Sequence, residues 1–385
     1  MLMRPSPTAT DLEVRITPVG AGELPDPQAW IALARNAGEA NPFFEHWYLT
    51  AALEHLRDAR PVWIAQAWQG AELAGLMPLA IQGNYGRVPA RHVGNWAHYQ
   101  CFMGTPLVRA GLERAWATGL LRALDAADWA PGFLSLSGLE RDGANHLGLC
   151  AAAAQLNRPC PTVHHKSRAL LHSELEGEAY LEAHIRAKKR KEWRRLGYRI
   201  AELGTLVSTM LEDESHLSDW CDVYLSLEAA GWKGERGAAF ANGAATRSFF
   251  HRMMAGAWAT GRLEFLRLDL NGEAIAMLIN FRTPPASWSY KIAYDERLSR
   301  FSPGVMIEIE NLMRVLADPE IDWMDSCAVE DHPMINSLWA ERRQIVQISV
   351  PLSGLKRRAT YALCRAAEEA SARVRAWRTP AGDPE

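Results

Sequence analysis

Three consecutive strand-like segments in the second half of the chain limit most strongly the folds it can adopt. Asn271-Gly272 separates the apolar runs LEFLRLDL and EAIAMLINF, and SWSYKIAY follows closely. Asn-Gly between apolar runs is a strong hairpin signal, because both residues accept the positive φ of a type I′ turn. The pattern predicts an antiparallel meander. The joint DERLSRFSPG then leads into an amphipathic helix, and IDWMDS is a further strand.

The first half of the chain shows the same order of elements. A helix is predicted in NPFFEHWYLTAALEHL, with Asn41 as N-cap and Pro42 at its first position. A hairpin follows in PVWIAQAWQGAELAGLMPLAIQ, then a helix in AGLERAWATGLLRALDAA and a strand in GFLSLSGL. Because 385 residues exceed what one hydrophobic core usually serves, we expect two α/β domains.

The expected organisation has a flexible N-terminus at 1–11, a first domain at 12–165 and a second at 166–352. A C-terminal helix at 353–378 and a frayed tail at 379–385 complete it. The composition is 48% hydrophobic and 23% charged, which is typical of a globular protein. Disorder is therefore expected only at the ends.

Charge and cysteine content exclude several classes of protein. The net charge of −3 provides no overall attraction to nucleic acid or anionic lipid. The six cysteines are scattered without a CxxC pair, so we expect neither structural disulfides nor a bound metal. The first residues lack a secretory signal, and no apolar run reaches membrane-spanning length, so we expect a cytoplasmic protein.

The joint between SWSYKIAY and the following helix is suited to an anion. A helix N-terminus presents unpaired N–H groups and the positive end of the helix dipole. Arg297 and Arg300 add charge, Ser302 can cap the helix, and Gly304 allows a ligand close to the backbone. An ordinary strand-to-helix turn, with Pro303 near the helix start, is the alternative interpretation.

Several runs of the chain resemble a known family. LEAAGWKGERGAAF, LDLNGEAIAMLINF and YKIAYDERLSRFSPGVMIEIE are similar to GNAT-type acyltransferases of the CelD-like group, which is named from cellulose-biosynthesis operons. The group is related in fold to FemAB peptidyltransferases and includes bacterial ceramide synthases. The resemblance covers nearly the whole chain, with looser motifs in the first half. It implies an α/β fold of tandem GNAT-like lobes, each a mixed, largely antiparallel sheet flanked by helices.

The resemblance also implies an N-acyltransferase with no permanently bound cofactor. The joint matches the place where such folds hold the pyrophosphate of acyl-CoA. It departs from the commoner signature Arg/Gln-x-x-Gly-x-Gly/Ala: Arg300 and Gly304 remain, but Ser302 and Pro303 occupy the centre. Arg297 and Lys291 complete the expected donor-binding set, and the donor is acyl-CoA or an acyl carrier protein thioester.

Acyl transfer to an amine needs a base to remove a proton, and often an acid for the departing thiolate. Glu228, at the end of a helix, is our first choice of base, although a solvated helix-end glutamate is the alternative. Tyr294 is the candidate acid. Asp325 is a further catalytic candidate at a strand's C-terminal end. His98 is the alternative base, and a structural histidine is the competing interpretation.

Candidates for substrate binding are Trp232, Lys233, Tyr290 and Tyr99. Strand alternation predicts that Tyr290 and Lys291 lie on opposite faces of their strand. No cysteine or serine lies in a recognised nucleophile motif, so direct attack within a ternary complex is favoured.

The basic run 186–199 suggests a partner. In isolation it is typical of a solvated helix face. Because the segment recurs in the family that the chain resembles, the resemblance implies contact with the donor's phosphates, an acidic carrier protein or an anionic lipid surface. The fifteen tryptophans and this run are compatible with a long-chain lipid amine as acceptor and with peripheral membrane contact. A nucleic-acid partner is not expected, because aromatic interleaving is missing. Two alternatives stay open: a non-catalytic GNAT-like scaffold in envelope or polysaccharide assembly, and a FemAB-like aminoacyl transferase.

Overall fold

The computed structural model describes residues 12–21, 24–231, 234, 236–237 and 239–378. The chain divides into two compact units. The first comprises the chain up to Phe44, Asp58–His165 and the chain from Val346 onward; the second comprises Glu45–Arg57 and Lys166–Ile345. The predicted domains are continuous in sequence. In the structure, Glu45–Arg57 belongs to the second unit and the chain from Val346 onward belongs to the first. The predicted flexible terminus and frayed tail, 1–11 and 379–385, lie outside the described residues.

The sheet of the first unit is mostly antiparallel. Its strand order is β1 (Val14–Pro18), β2 (Val62–Gln69), β3 (Glu72–Gln82), β4 (His92–Asn95) and β6 (Phe133–Glu140), with β5 (Leu107–Val108) paired to β3. Strands β1 to β4 pair antiparallel, and β4 pairs parallel with β6. Its helices are α1 (Pro27–Arg35), α3 (Glu113–Ala126), α4 (Ala144–Gln155) and α10 (Leu355–Arg378).

The sheet of the second unit has the same character. Its strand order is β7 (Thr162–Leu171, in this unit from Lys166), β12 (Trp323–Asp325), β11 (Ala286–Tyr294), β10 (Glu273–Thr283), β9 (Leu263–Leu270) and β8 (Leu206–Met210). Its helices are α2 (His46–His55), α5 (Gly177–His184), α6 (Ala187–Ala201), α7 (Leu217–Ala229), α8 (Ala244–Ala259) and α9 (Pro303–Ala317). A last strand, β13 (Glu341–Pro351), contributes residues to both units.

The two halves of the chain repeat one order of elements. A first strand and two helices precede a hairpin, a third strand antiparallel to it, a crossover helix and a fourth strand parallel to the third. In the first half of the chain these are β1, α1, α2, β2, β3, β4, α3 and β6, although α2 belongs to the second unit, and in the second half they are β8, α7, α8, β9, β10, β11, α9 and β12. The predicted α/β fold class, with mixed and largely antiparallel strands flanked by helices, is confirmed.

Local chemistry explains the elements that carry the site. Asn271 and Gly272 have φ angles of 55° and 83°, so the predicted hairpin turn joins β9 to β10. In α9, Leu312 is fully buried in the core. Val305 and Ile309 pack against the same apolar cluster, which fixes that helix over the sheet.

Helix α2 differs from the prediction in its start and its placement. Pro42–Phe44 forms a 3-10 turn, Asn41 accepts a hydrogen bond from the Phe43 N–H at 3.0 Å, and α2 begins at His46. Within the second unit, the ring of Trp47 packs edge-on against Phe281 with centroids 4.9 Å apart. Sequence order alone does not show which sheet a helix covers, and this contact explains why Glu45–Arg57 belongs to the second unit.

Candidate functional site

Strands β11 and β12 of the second unit diverge soon after they meet. They pair only at Ala286↔Trp323, Ser287↔Met324 and Trp288↔Asp325. Strand β11 then continues to Tyr294, and no strand among the described residues pairs with it on that side. The open edge presents backbone N–H and C=O groups that can bind an extended, amide-containing ligand.

A β-bulge lies within this open part of β11. Ile279 pairs with Lys291, but the next residue of β10, Asn280, pairs with Ser289. Tyr290 is therefore the extra residue, and the strand bends there. The bulge interrupts the side-chain alternation that placed Tyr290 and Lys291 on opposite faces. The Lys291 Nζ lies 5.9 Å from the centre of the Tyr290 ring, so that prediction is wrong in its simple form.

The equivalent divergence in the first unit is closed by the protein's own groups. Strands β4 and β6 pair at Val93↔Leu134 and Gly94↔Ser135. Just beyond, the Asn95 side chain donates to the Ser137 carbonyl at 3.2 Å and accepts from the Ser137 N–H at 3.0 Å. Because an amide side chain fills this gap between the strands, the open divergence of the second unit is the better candidate site.

The joint after β11 forms a short 3-10 helix, Glu296–Phe301, followed by α9. Ser302 is the N-cap residue of α9 and has left-handed backbone angles, with φ 56° and ψ 53°. Its side chain makes no capping hydrogen bond; instead, its carbonyl accepts from the Val305 N–H at 3.0 Å. The predicted capping position is correct, whereas the predicted side-chain bond is not formed. Left-handed angles at a non-glycine residue are a feature of strained functional loops.

The two arginines of the joint have different environments. Arg297 is held by Asp295, with Nη2 and Oδ2 2.8 Å apart, and its side chain is 86% exposed. Hydrogen bonding from Arg297 lowers the pKa of Asp295. Arg300 is exposed, with its guanidinium carbon 4.7 Å from the Phe301 ring centre, and forms no ion pair within the described part of the chain. Arg300 is therefore the cation of this joint best suited to an incoming anion.

Gly304, in the first turn of α9, makes room for a neighbouring side chain of the site. A β-carbon at residue 304 would lie 3.1 Å from Tyr294 Cδ1 and 3.6 Å from Ile292 Cδ1. Any larger residue would push on the Tyr294 ring. The glycine thus allows the start of α9 to pack closely against the end of β11.

A small pocket brings together the predicted base and the predicted acid. Glu228 and Tyr294 both line it, together with Leu227, Gly231, Ile292, Ala293 and Glu296. Glu228 is 3% exposed, and its Oε2 accepts a hydrogen bond from the Phe240 N–H at 2.9 Å. A buried carboxylate held in one orientation beside a phenol can carry a proton in a transfer reaction.

Three further tyrosines, Tyr48, Tyr224 and Tyr290, lie near one another close to Glu228, and sequence reasoning missed two of them. The hydroxyls of Tyr48 and Tyr290 lie 3.4 Å apart. The hydroxyl of Tyr224 is buried and forms no hydrogen bond with any described residue. Its pKa lies well above the usual value, because burial disfavours the phenolate and the charge of Glu228 adds to this effect. The i, i+4 spacing of Tyr224 and Glu228 on α7 was the available signal, whereas nothing local pointed to Tyr48.

The ammonium group of Lys291 lies over aromatic rings. Its Nζ is 5.3 Å from the centre of the Phe240 ring. The same residue, Phe240, binds Glu228 through its backbone N–H. The expected donor-binding lysine therefore belongs to the surroundings of the Glu228 pocket.

Asp325 is surrounded by cations. It is fully buried, and its two oxygens bind Arg168 Nη1 at 3.0 Å and Arg343 Nη1 at 3.1 Å. It also accepts from the Cys327 N–H at 2.7 Å. Burial alone would raise the pKa of Asp325, but the two arginines and these hydrogen bonds lower it. A carboxylate so strongly held in its charged form is unsuited to carry protons, which argues against the predicted catalytic role.

Glu308 is a buried carboxyl group that sequence reasoning did not single out. It lies on α9 beneath β11, where Ser289 Oγ donates to Oε1 at 3.2 Å and Asn311 Nδ2 donates to Oε2 at 3.1 Å. The side chain is 2% exposed, and burial raises its pKa to about 7. Its position in a helix of mixed polarity carries no sequence signal for burial.

The remaining predicted site residues lie elsewhere. His98 and Tyr99 belong to the first unit, where Tyr99 is 78% exposed. Burial lowers the pKa of His98 to about 4, so its imidazole is neutral at physiological pH. Trp232 and Lys233 lie outside the described residues. No group of three or more His, Cys, Asp or Glu side chains within the described ranges could hold a metal ion.

Comparison with known proteins finds a family match within the second unit. Residues 186–332, which span β11, the joint and α9, match a family model described as an acetyltransferase (GNAT) domain. A search of curated proteins found no match. The segment 186–332 is therefore similar to a GNAT acetyltransferase domain over that part of the chain.

Solved structures resemble the chain over most of its length. The structure of FemX covers 89% of this chain and 99% of its own, with a TM-score of 0.55 and 9% identity. A conserved protein of unknown function from Bacteroides thetaiotaomicron VPI-5482 covers 85% and 98%, with a TM-score of 0.53 and 10% identity. A tandem GNAT protein from the clavulanic acid biosynthesis pathway covers 88% and 98%, with a TM-score of 0.46 and 15% identity. At such identities the similarity establishes the fold alone.

Proposed function

We propose that the protein is an N-acyltransferase that moves an acyl group from a thioester donor, acyl-CoA or an acyl carrier protein thioester, to an amine. The observation that carries the proposal is the open edge of β11 beside a pocket lined by both Glu228 and Tyr294. The edge can pair with the amide groups of the donor's pantetheine arm. The pocket holds the groups that would move protons.

In this proposal the joint binds the donor's phosphates. Arg300, together with Arg297, provides positive charge, and Ser302 and Gly304 shape the first turn of α9. Lys291 adds a cation near the pocket. Phosphate contacts at the joint would leave the thioester to extend along β11 toward Glu228.

Glu228 would take the proton from the attacking amine, and Tyr294 would donate one to the departing thiolate. The amine nitrogen then bonds to the acyl carbon while the carbon–sulfur bond breaks, so no covalent enzyme intermediate is needed. Cys327 supports this route, because burial and the charge of Asp325 raise its pKa well above the usual value. A thiol held in its protonated form is a poor nucleophile.

The acceptor in this proposal is a long-chain lipid amine, in keeping with the CelD-like group and its ceramide synthases. Helix α6 supports it, because its exposed face carries the cations Lys188, Lys191, Arg194 and Arg199 beside Tyr198, which is 75% exposed. Such a face can lie on an anionic membrane surface. No described helix is both long and apolar enough to span a membrane.

A second candidate is aminoacyl transfer of the FemAB kind. The structural similarity to FemX, at a TM-score of 0.55, favours a related fold. The exposed cations of α6 would serve the phosphates of an aminoacyl-tRNA in that case. A non-catalytic scaffold is the third alternative. It is less favoured, because a scaffold does not need a pocket that is lined by both Glu228 and Tyr294.

The test is release of CoA thiol from palmitoyl-CoA in the presence of a panel of amines, including a long-chain base. Thiol release that depends on one amine, with the matching amide as product, would support the proposal. Transfer from aminoacyl-tRNA alone would support the second candidate. If the protein turns over neither palmitoyl-CoA, nor aminoacyl-tRNA, nor a carrier-protein thioester, the result would favour a scaffold.

A further inference from the structure

Two cysteines of the first unit lie in direct contact, far apart from the site residues in sequence. Cys150 is in α4, and Cys160 lies shortly before β7. Their Sγ atoms are 3.3 Å apart, and both side chains are partly accessible to solvent. A disulfide bond needs sulfurs at about 2 Å, so a shift of roughly 1 Å would join them.

His146 lies one turn before Cys150 on α4, and its imidazole ring contacts the Cys150 sulfur. Its Nδ1 accepts a hydrogen bond of 3.0 Å from the Asp142 N–H, so the proton of the neutral ring must be on Nε2. That Nε2 lies 3.7 Å from Cys150 Sγ. Burial lowers the pKa of His146, which favours this neutral form. The ring therefore presents an N–H donor to the sulfur.

Cys150 is the residue of the pair that becomes the thiolate. The hydrogen-bonding contact with Cys160 lowers the pKa of Cys150 to about 7, against the opposing effects of burial and of the Asp142 charge. The same hydrogen bond and burial raise the pKa of Cys160. A partly exposed sulfur beside an N–H donor and a neighbouring thiol has the features of a reactive cysteine with a resolving partner.

We propose that Cys150 and Cys160 form a redox-active dithiol that is reversibly oxidised to a disulfide by a low-molecular-weight disulfide such as glutathione disulfide. The Cys150 thiolate attacks one sulfur of the oxidant, forming a mixed disulfide and releasing one glutathione thiolate. Cys160 then loses its proton to solvent, and its sulfur attacks that of Cys150 and releases a second glutathione. The protein loses two electrons and two protons, and the glutathione disulfide gains them.

The test treats the full-length protein with glutathione disulfide, in the presence of a metal chelator, and then alkylates the remaining thiols in acid. Peptide mass spectrometry should find one linked peptide pair, joining Cys150 to Cys160, and the link should disappear after dithiothreitol. Cys101→Ser is the matched control, because Cys101 is also partly exposed and should leave the linkage unchanged. A stable mixed disulfide with glutathione on Cys150, or linkage involving another cysteine, would overturn the proposal.

The Cys160→Ala variant separates chemistry from folding. Without the contact to Cys160, alkylation of Cys150 by iodoacetamide at pH 7 should slow by about tenfold, because the thiol returns toward its usual pKa. The far-ultraviolet circular dichroism spectrum should stay the same. Equal alkylation rates in the variant and the wild type would show that the contact does not activate Cys150.

Discussion

The Glu228 carboxylate accepts a hydrogen bond of 2.9 Å from the backbone N–H of Phe240 within the second unit. This bond fixes one oxygen of a side chain that is 3% exposed and lines the same pocket as Tyr294. Glu228 is the proposed proton acceptor. The geometry makes the proposed base testable by a substitution that preserves the hydrogen bond.

Glu228→Gln should lower the rate of acyl transfer by about 100-fold or more, because an amide keeps the bond to Phe240 but cannot take a proton. The measurement is thiol release from acyl-CoA with the accepted amine at saturating donor. Glu202→Gln makes the same chemical change at an exposed residue just after α6. It is the control and should leave the rate unchanged. An unchanged rate in Glu228→Gln would remove Glu228 as the base.

Gly304→Ala should destabilise the protein by about 1 to 3 kcal/mol, because the new β-carbon presses on Tyr294. Gly197→Ala provides the contrast, since Gly197 lies within α6 with open space around it. That exchange should stabilise the helix by about 0.5 to 1 kcal/mol. Urea unfolding of both variants gives the comparison, and equal shifts would contradict the packing argument.

Asp325→Asn should destabilise the protein by about 3 to 5 kcal/mol, because Arg168 and Arg343 would remain buried without their counter-charge. Asp58→Asn removes an exposed ion pair with Arg60 and should cost less than about 1 kcal/mol. The free energy of unfolding in urea distinguishes the two. Full stability combined with lost activity in Asp325→Asn would restore the catalytic role that the structure argues against.

Glu308 makes stability depend on pH. Its pKa is raised to about 7 in the folded protein, so the folded state holds its proton more tightly than the unfolded chain does. The stability from this group is fully present below about pH 4.5 and is lost as pH rises through 7. Glu308→Gln stays neutral, so its stability relative to wild type should rise by about 2 to 3 kcal/mol between pH 4.5 and pH 8.

Thermal or urea unfolding at both pH values measures this difference. Glu310→Gln is the matched control on the same helix, because Glu310 is only partly buried and pairs with Arg314 at 2.9 Å. Its difference from wild type should vary little over the same range. If Glu308→Gln behaves like this control, the buried carboxyl does not retain its proton.

The sequence predicts the repeated order of elements well, because hairpin turns and helix periodicity are local signals. Asn271-Gly272 is the clearest case, with both residues at the positive φ its turn requires. The assignment of α2 to the second unit was missed, since the packing of Trp47 on Phe281 joins residues far apart in sequence. Contacts between residues far apart in sequence also explain why each unit contains a segment from the other half of the chain.

For the site, local sequence identified the joint and Glu228 but not their surroundings. The β-bulge at Tyr290 depends on pairing with β10, which no single strand reveals. Asp325 has the position of a ligand group at a strand end, yet two arginines from distant segments surround it. Tertiary contacts decide whether a carboxylate serves catalysis or structure.

In the proposed function a thioester donor binds to the second unit through the joint before α9. The measurement is thermal stability of the full-length protein with free CoA, acetyl-CoA, palmitoyl-CoA and an acyl carrier protein thioester, for wild type and Arg300→Ala, with Arg314→Ala as control. A ligand that binds only the folded state raises the melting temperature according to its concentration over its Kd. We predict stabilisation by a CoA compound that Arg300→Ala reduces and Arg314→Ala retains. Stabilisation by none of the donors, or equal stabilisation in all three proteins, would show that the joint does not bind the donor.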